Sequence, residues 1–125
     1  MSSHAFCGRS QAALACWDTS SDARLKDVEG DYEYGLEEVD KLQPVRFRYK
    51  EGNALDLPSD DEHVGLVAQD VQGVIPEAVS EGSSGYLTLN ATPIHYAMLN
   101  AIKELKAEID YLKKRVKELE NSQGL

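Results

Sequence analysis

The C-terminal part of the chain carries a heptad repeat, which constrains the fold more than any other feature of the sequence. Isoleucine or valine at position a alternates with leucine at position d, at spacings of three and four residues: Ile102, Leu105, Ile109, Leu112, Val116 and Leu119. A stripe this narrow is typical of a coiled-coil seam rather than of a helix packed broadly on its own domain. It predicts one long helix over residues 93–121, with Thr92 as N-cap and Pro93 at the first helical position, and self-association through that helix.

Charged residues flank the stripe and favour a parallel arrangement. Glu108 and Arg115 occupy g positions, and Lys113 and Glu120 occupy the e positions that follow them. In a parallel coiled coil each g residue meets the next e residue of its neighbour, so both pairs attract. Isoleucine or valine at a with leucine at d favours two strands. The repeat alone therefore predicts a dimer, and a helix folded back on its own domain is the alternative.

Residues 21–91 carry the pattern of a small α+β head. The expected elements are helices over 32–42 and 69–74, strands over 45–49, 63–67 and 86–89, a loop over 51–62 and a turn over 81–85. A core built from about seventy residues is marginal alone and commonly needs oligomerisation. We therefore expect a small globular head of α+β class, followed by a long coiled-coil helix that joins several chains.

The remaining segments lie at the two ends. Residues 1–20 are rich in serine and alanine and nearly uncharged, and we interpret them as the end of a longer parent protein. The sequence then divides into the head (21–91), the coiled-coil helix (92–121) and a disordered tail (122–125). The opening residues lack the basic and apolar regions of a signal peptide, which predicts a cytoplasmic location.

The composition argues against several classes of function. The formal net charge is −9, and an acidic surface repels phosphate backbones, so nucleic-acid binding is not expected as the main role. No apolar run is long enough to cross a membrane. Cys7 and Cys16 are expected to be reduced thiols, because their spacing matches no zinc pattern. No metal ion or cofactor is therefore expected.

Five segments that follow one another along the chain carry a family resemblance. The first is Ser21-Asp22-Ala23-Arg24-Leu25-Lys26, an SD-x-RLK motif. It is followed by residues 42–50 (LQPVRFRYK), 63–72 (HVGLVAQDVQ), 75–79 (IPEAV) and 86–89 (YLTL), and then by the heptad helix. In this order, residues 21–119 resemble the intramolecular chaperone auto-processing domain of phage tailspikes, tail fibres and neck appendages. A domain of the myelin regulatory factors is related to that family.

The resemblance implies a function in fibre assembly. Such a domain forms a homotrimer and nucleates folding of the preceding fibre of its own precursor in the host cytoplasm. It then cuts the chain at the serine and is released from the mature virion fibre. The implied trimer replaces the dimer expected from the repeat, because contacts of the head can override a/d preferences over a few heptads. A trimerisation and folding module that does not cut is the alternative. A coiled-coil adaptor without a phage role explains the helix but not the five segments.

The SD-x-RLK segment also suggests a reaction. Serine is a poor nucleophile without a base, and lysine can be that base when burial lowers its pKa. We expect Ser21 to attack the carbonyl of Ser20 with Lys26 as general base, as a single-turnover serine peptidase. Direct hydrolysis and an N-to-O acyl shift are both open as routes. The dyad residues lie on different sides of a regular helix or strand, so the segment must bend or the long lysine must wrap. An ion pair between Asp22 and Arg24 is expected to shape the turn.

Two further residues are candidates for catalytic support. The family pattern implies that His63 assists the dyad or supports an oxyanion donor, and a hydrogen-bonded, inert histidine at a strand start is the alternative. Gln69 is either an oxyanion donor or a buried amide that satisfies backbone groups. Some family members extend the loop at residues 51–62 into an arm that grips the preceding fibre. Here the loop is short and is expected to be a simple surface loop.

Overall fold

The computed structural model describes residues 18–124, and the chain divides into two compact units, Met1–Asp31 and Tyr32–Leu125. The described part of the first unit holds one 3-10 turn, Ala23–Leu25. The second unit runs in the order α1 (Leu36–Lys41), β1 (Val45–Phe47), β2 (His63–Gly65), α2 (Ala68–Gln72), a 3-10 turn (Pro76–Ala78), β3 (Val79–Glu81), β4 (Leu87–Leu89) and α3 (Ala91–Ser122). Short strands and helices before one long C-terminal helix confirm the predicted α+β class.

α3 begins earlier than predicted because its N-cap is Asn90, not Thr92. The Asn90 side chain accepts a hydrogen bond from the Thr92 backbone N–H at 3.1 Å, and asparagine is among the strongest N-cap residues. Thr92 and Pro93 therefore lie in the first turn, where the N–H that proline lacks would have no partner within the helix. The helix ends at Ser122, one residue beyond the predicted end.

α1 begins later than predicted because tertiary hydrogen bonds hold the segment before it. The Asn100 side-chain amide donates to the backbone carbonyls of Tyr32 and Tyr34, at 2.9 and 2.8 Å. These bonds keep the segment outside the helix that its apolar spacing predicts. The helix begins only after Gly35, whose backbone N–H donates to Glu38 Oε1 at 2.7 Å, as in the backbone-directed half of a capping box.

A second contact from α3 fixes the start of α1. The Glu104 carboxylate accepts a hydrogen bond from the Leu36 backbone N–H, with Oε2 at 2.6 Å. Gly35 packs directly against the same carboxylate, since a Cβ built there would lie 2.7 Å from Glu104 Oε1. The first N–H groups of a helix have no partner within it, so α1 takes one of its caps from another helix.

The strands pair into two antiparallel ribbons. β1 pairs with β2, with Phe47 opposite His63, and each strand ends two residues before its predicted end. β3 pairs with β4, with Val79 opposite Leu89. The sequence does not predict β3, because the strand contains one large apolar residue and therefore shows no alternation. β4 begins one residue later than predicted, and α2 begins one residue before its predicted start and ends two before its predicted end.

The core of the second unit is small and lies between α2, the Pro76–Ala78 turn and the first turns of α3. Its buried members are Val71, Ile75, Ala78, Ile94 and Ala97, and half-buried apolar side chains pack around them: Tyr32, Tyr34, Val39, Leu42, Leu66, Val74 and Val79. Beyond Ala101, no described residue of α3 is buried. The long helix therefore contributes buried residues with its first third only.

Candidate functional site

The first unit contains the SD-x-RLK segment, folded as a 3-10 turn. Asp22 is the N-cap, and its side chain accepts a hydrogen bond from the Arg24 backbone N–H at 2.8 Å. The turn is closed by the backbone N–H groups of Leu25, which donates to the Asp22 carbonyl at 2.9 Å, and of Lys26, which donates to the Ala23 carbonyl at 3.3 Å. A short polar side chain at the cap favours this local structure, and the chain reverses within a few residues.

The turn brings Ser21 and Lys26 into direct contact. Lys26 leaves the turn with extended backbone, φ −118° and ψ 138°. Its Nζ donates a hydrogen bond to Ser21 Oγ at 2.6 Å. The bend that the spacing requires is therefore present, and the two side chains meet within one chain. Their roles as nucleophile and base stay a prediction.

Asp22 and Arg24 form the local ion pair that the sequence predicts. The guanidinium donates through Nε to Asp22 Oδ1 at 3.0 Å and through Nη2 to Oδ2 at 2.8 Å. The side-chain hydrogen bond from Arg24, reinforced by its backbone N–H, lowers the pKa of the Asp22 carboxyl, and the carboxylate raises the pKa of Arg24. Both groups stay charged, and both oxygens of the carboxylate are occupied by one arginine.

The whole segment is open to solvent in the single chain. Every residue from 18 to 31 is exposed, including Ser20, whose carbonyl is the predicted point of attack. Lysine accepts a proton from serine only as the neutral amine, and burial is what favours that form. The chain alone therefore supplies the contact between Ser21 and Lys26 but not the burial that the chemistry needs.

His63 begins β2 and packs among aromatic rings of the second unit. Its ring centroid lies 5.3 Å from that of Phe47 and 5.4 Å from that of Tyr49. The residue is half-buried. The structure thus places His63 at the strand start, as expected, and gives its ring an apolar packing role. Participation in catalysis stays a prediction.

Gln69 lies in the first turn of α2 and is exposed, so the expectation of a buried amide is wrong. The physical reason is that the helix turns its other face inward, with Val71 in the core. Gln69 instead borders an open groove of about 920 Å³ between the loop after β1 and the β3–β4 ribbon, where Leu57 and Tyr86 also lie. An exposed amide keeps free donors, which an oxyanion contact would require.

Three polar or buried groups of the second unit were not predicted from the sequence. Asn100 binds the segment before α1, Glu104 binds the first residue of α1, and the Tyr32 hydroxyl is buried without a hydrogen-bond partner inside residues 18–124. Asn100 and Glu104 are four residues apart and beside the buried Ala97, so helical spacing could have placed both on the head-facing side. Tyr32 carried no such signal, because its burial depends on tertiary packing.

Neither a membrane span nor a metal site is formed by the described residues. Within 18–124 no helix combines the length and apolar character needed to cross a membrane, and no group of three or more His, Cys, Asp or Glu side chains could hold a metal ion. Cys7 and Cys16 lie outside the described residues, as does most of the predicted upstream segment 1–20.

The sequence matches known proteins over the segment that begins with Ser21. A profile of the peptidase family described as chaperone of endosialidase matches residues 21–80. The chain is 34% identical over 97 residues to the Long tail fiber protein Gp37 of Enterobacteria phage M1, and equally to the protein of the same name of Enterobacteria phage Ox2. Each alignment covers 74% of this chain and 38% of the relative, so the chain spans well under half the length of these relatives. The motif resemblance is thereby confirmed: residues 21–80 of the chain match the chaperone-of-endosialidase family.

Proposed function

We propose that this chain is the C-terminal intramolecular chaperone of a phage tail fibre, and that it releases itself by cutting before Ser21. The observation that carries the proposal is the 2.6 Å contact between Lys26 Nζ and Ser21 Oγ, at the residue where the family match begins. The family match and the tail-fibre relatives support the chaperone role. The site of action is the host cytoplasm during virion assembly, with the released domain absent from the mature fibre.

Assembly as a homotrimer would cover the apolar stripe on residues 102–119 of α3. Its six a and d residues are between 43% and 62% exposed in the single chain. Most of the stability of a helix in a protein comes from packing of its apolar face, and burial of a leucine or isoleucine contributes about 1.5–3 kcal/mol. Three chains would therefore gain from packing their stripes together, and the fibre segments that precede each head would be brought side by side.

The cut would follow from nucleophilic attack inside the turn. Ser21 Oγ attacks the carbonyl carbon of Ser20, and Lys26 Nζ takes the hydroxyl proton. The C–N bond between the two serines breaks, and the Ser21 nitrogen leaves with a proton as a free amine. The upstream chain is then held as an ester on Ser21 Oγ, which water hydrolyses. One such event per molecule suffices for release.

Trimer assembly would gate this reaction. The single chain leaves Ser21 and Lys26 exposed, and lysine becomes an effective base when it is removed from water. A neighbouring subunit could supply that burial, together with donors for the developing oxyanion. Cleavage would then be tied to completed assembly, and a chain that had not trimerised would keep its chaperone.

The alternative is a trimerisation and folding module that does not cut. The exposure of residues 18–31 favours it, because the contact between Ser21 and Lys26 alone leaves the lysine solvated. In this case the SD-x-RLK turn would only shape the junction between fibre and head, and the chaperone would remain on the mature fibre.

Intact mass of the purified protein separates the two functions. The cutting form predicts loss of the segment through Ser20 in the wild type and in Ser20→Ala, which keeps the nucleophile and serves as the matched control. Ser21→Ala and Lys26→Gln should remain at full length. Cleavage that persists in Ser21→Ala would contradict the proposed nucleophile. Full-length mass in all four proteins, with trimers present, would establish the non-cleaving module.

A further inference from the structure

Asp22 and Lys26 have the spacing of an ion pair but do not form one. They are four residues apart, a separation at which opposite charges commonly pair on a helical turn. Within residues 18–124, however, Lys26 makes no salt bridge, and its Nζ donates to Ser21 Oγ at 2.6 Å. A second basic residue, Arg24, lies between them in the sequence and binds the Asp22 carboxylate.

Arg24 donates hydrogen bonds to both carboxylate oxygens of Asp22. Oδ1 accepts from the Arg24 backbone N–H at 2.8 Å and from Nε at 3.0 Å, and Oδ2 accepts from Nη2 at 2.8 Å. The planar guanidinium matches a carboxylate in this forked geometry better than an ammonium does. Arginine also keeps its charge over the whole pH range in which a lysine titrates. The carboxylate is therefore engaged at every pH at which the reaction could run.

We infer that Arg24 is a positioning residue, which sequesters the Asp22 carboxylate and so leaves the Lys26 amine for Ser21. This inference rests on the proposed cleavage and goes beyond it, because it assigns a role to residues that do not touch the scissile bond. Asp22 is needed to cap the turn, yet an unpaired carboxylate at that position would compete for Lys26. Arg24 removes the competition while the cap is kept.

Loss of Arg24 would redirect the lysine. In Arg24→Ala, the Asp22 carboxylate would be free to accept from Lys26, and the amine would move away from Ser21 Oγ. An opposite charge at close range also favours the protonated form of lysine. Cleavage should slow about tenfold at neutral pH, and its pH midpoint should rise by about one unit, in line with the usual effect of one close charge.

A second substitution should restore the reaction. Asparagine caps a turn about as well as aspartate but carries no charge, so Asp22→Asn on its own should cut at close to the wild-type rate. The double variant Asp22→Asn with Arg24→Ala should recover to within about twofold of the wild type, with the wild-type pH midpoint, because the cap remains and the competing charge is gone. If Arg24 only stiffened the turn, the double variant would be as slow as Arg24→Ala, and that result would overturn the inference.

The experiment compares cleavage rates by intact mass across pH in the full chain, for wild type, Arg24→Ala, Asp22→Asn and the double variant. Competitive acetylation of Lys26, read by peptide mass spectrometry on the same four proteins, measures the amine directly. Its pH midpoint should rise in Arg24→Ala and return in the double variant, whether or not the chain cuts. If the wild type does not cut but the acetylation midpoints of Lys26 change as expected, the proposed cleavage is contradicted and the role of Arg24 is not. If all four proteins cut with the same pH midpoint, the role of Arg24 is contradicted and the proposed cleavage is not.

Discussion

The first third of α3 and the remaining two thirds carry similar apolar spacings, but only the first third contains buried residues. In residues 91–101, the buried positions are Ile94, Ala97 and Ala101, and they pack on the head of the same chain. In residues 102–122 no position is buried, although isoleucine, leucine and valine recur at a and d. One continuous helix thus changes from an internal packing element into a surface with an exposed apolar stripe.

Residue size distinguishes these two parts of α3. Alanine at positions 97 and 101 lets α1 approach closely, and the approach is fixed by polar contacts from Asn100 and Glu104. Beyond Glu104 the helix offers long side chains and no hydrogen bond to the head within the described residues, which is what a seam between separate chains requires. Packing within the chain uses small residues and hydrogen bonds, whereas the predicted packing between chains uses large apolar side chains.

The largest effect is expected from a substitution that disrupts only residues 102–122 of α3. Leu112→Gln places an amide at a d position and removes the burial of a leucine in every chain, about 1.5–3 kcal/mol for each. We expect the association constant of the trimer to fall at least a hundredfold, measured by sedimentation equilibrium, and self-cleavage to fall with it. Lys114→Gln, at an outward f position, is the matched control and should assemble normally. Undiminished cutting by dissociated Leu112→Gln chains would contradict gating by assembly.

A smaller effect is expected when isoleucine is replaced by alanine on either side of the point in α3 where burial ends. Ile94→Ala and Ile109→Ala remove the same atoms from the same helix, on either side of the point where burial ends. Ile94→Ala should lower the free energy of unfolding of the head by about 2–4 kcal/mol, because it leaves a cavity in the core. Ile109→Ala should instead weaken association, so that a higher protein concentration than in the wild type is needed before the thermal midpoint begins to rise with concentration. If the thermal midpoints of both variants depended equally on protein concentration, the distinction between the two parts of α3 would be lost.

The smallest effect concerns the segment that Asn100 holds. Burial, together with the negative charge of Glu77, raises the pKa of Tyr32 to about 12. Because the folded chain favours the neutral phenol, this contribution to stability is complete below the ordinary pKa of about 10 and is lost as the pH rises through about 12.

Tyr32→Phe should therefore remove part of the loss of stability at high pH. At neutral pH it should change the free energy of unfolding by less than about 1 kcal/mol in either direction, because the hydroxyl lies near the Glu77 carboxylate without forming a regular hydrogen bond. Denaturant unfolding at pH 7 and pH 11 measures both effects, and Tyr96→Phe, at an exposed position of α3, is the control. A strongly destabilised Tyr32→Phe at pH 7 would mean that the hydroxyl has a bonding partner.

The sequence predicts those parts of the fold that depend on local or periodic patterns. The heptads gave the extent of α3 to within two residues at each end, and alternating residues gave the positions of β1 and β2. The start of α1 was not predictable, because Asn100 and Glu104 act on it from far along the chain. β3 was missed for a related reason: its pairing with β4, not its own composition, makes it a strand.

The candidate site divides in the same way. The Ser21–Lys26 pair came from the family motif, and the Asp22–Arg24 ion pair came from short-range charge spacing. Both are local, and the structure contains both contacts. The expected burial of Gln69 failed, because the side of α2 that turns inward is decided by tertiary packing around Val71.

The polar contacts from α3 to the head also set the rotation of the helix about its own axis. Asn100 and Glu104 fall at the f and c positions of the heptad, on the side opposite the a/d stripe, while Met98 and Ile102 on the stripe remain exposed. The head is thus attached to the back of the seam, and it orients the seam outward before any partner arrives. A surface prepared in this way loses less conformational freedom when chains associate. In the proposed trimer, folding of the monomer and recognition between monomers would therefore be consecutive steps, in which the first lowers the entropic barrier to the second.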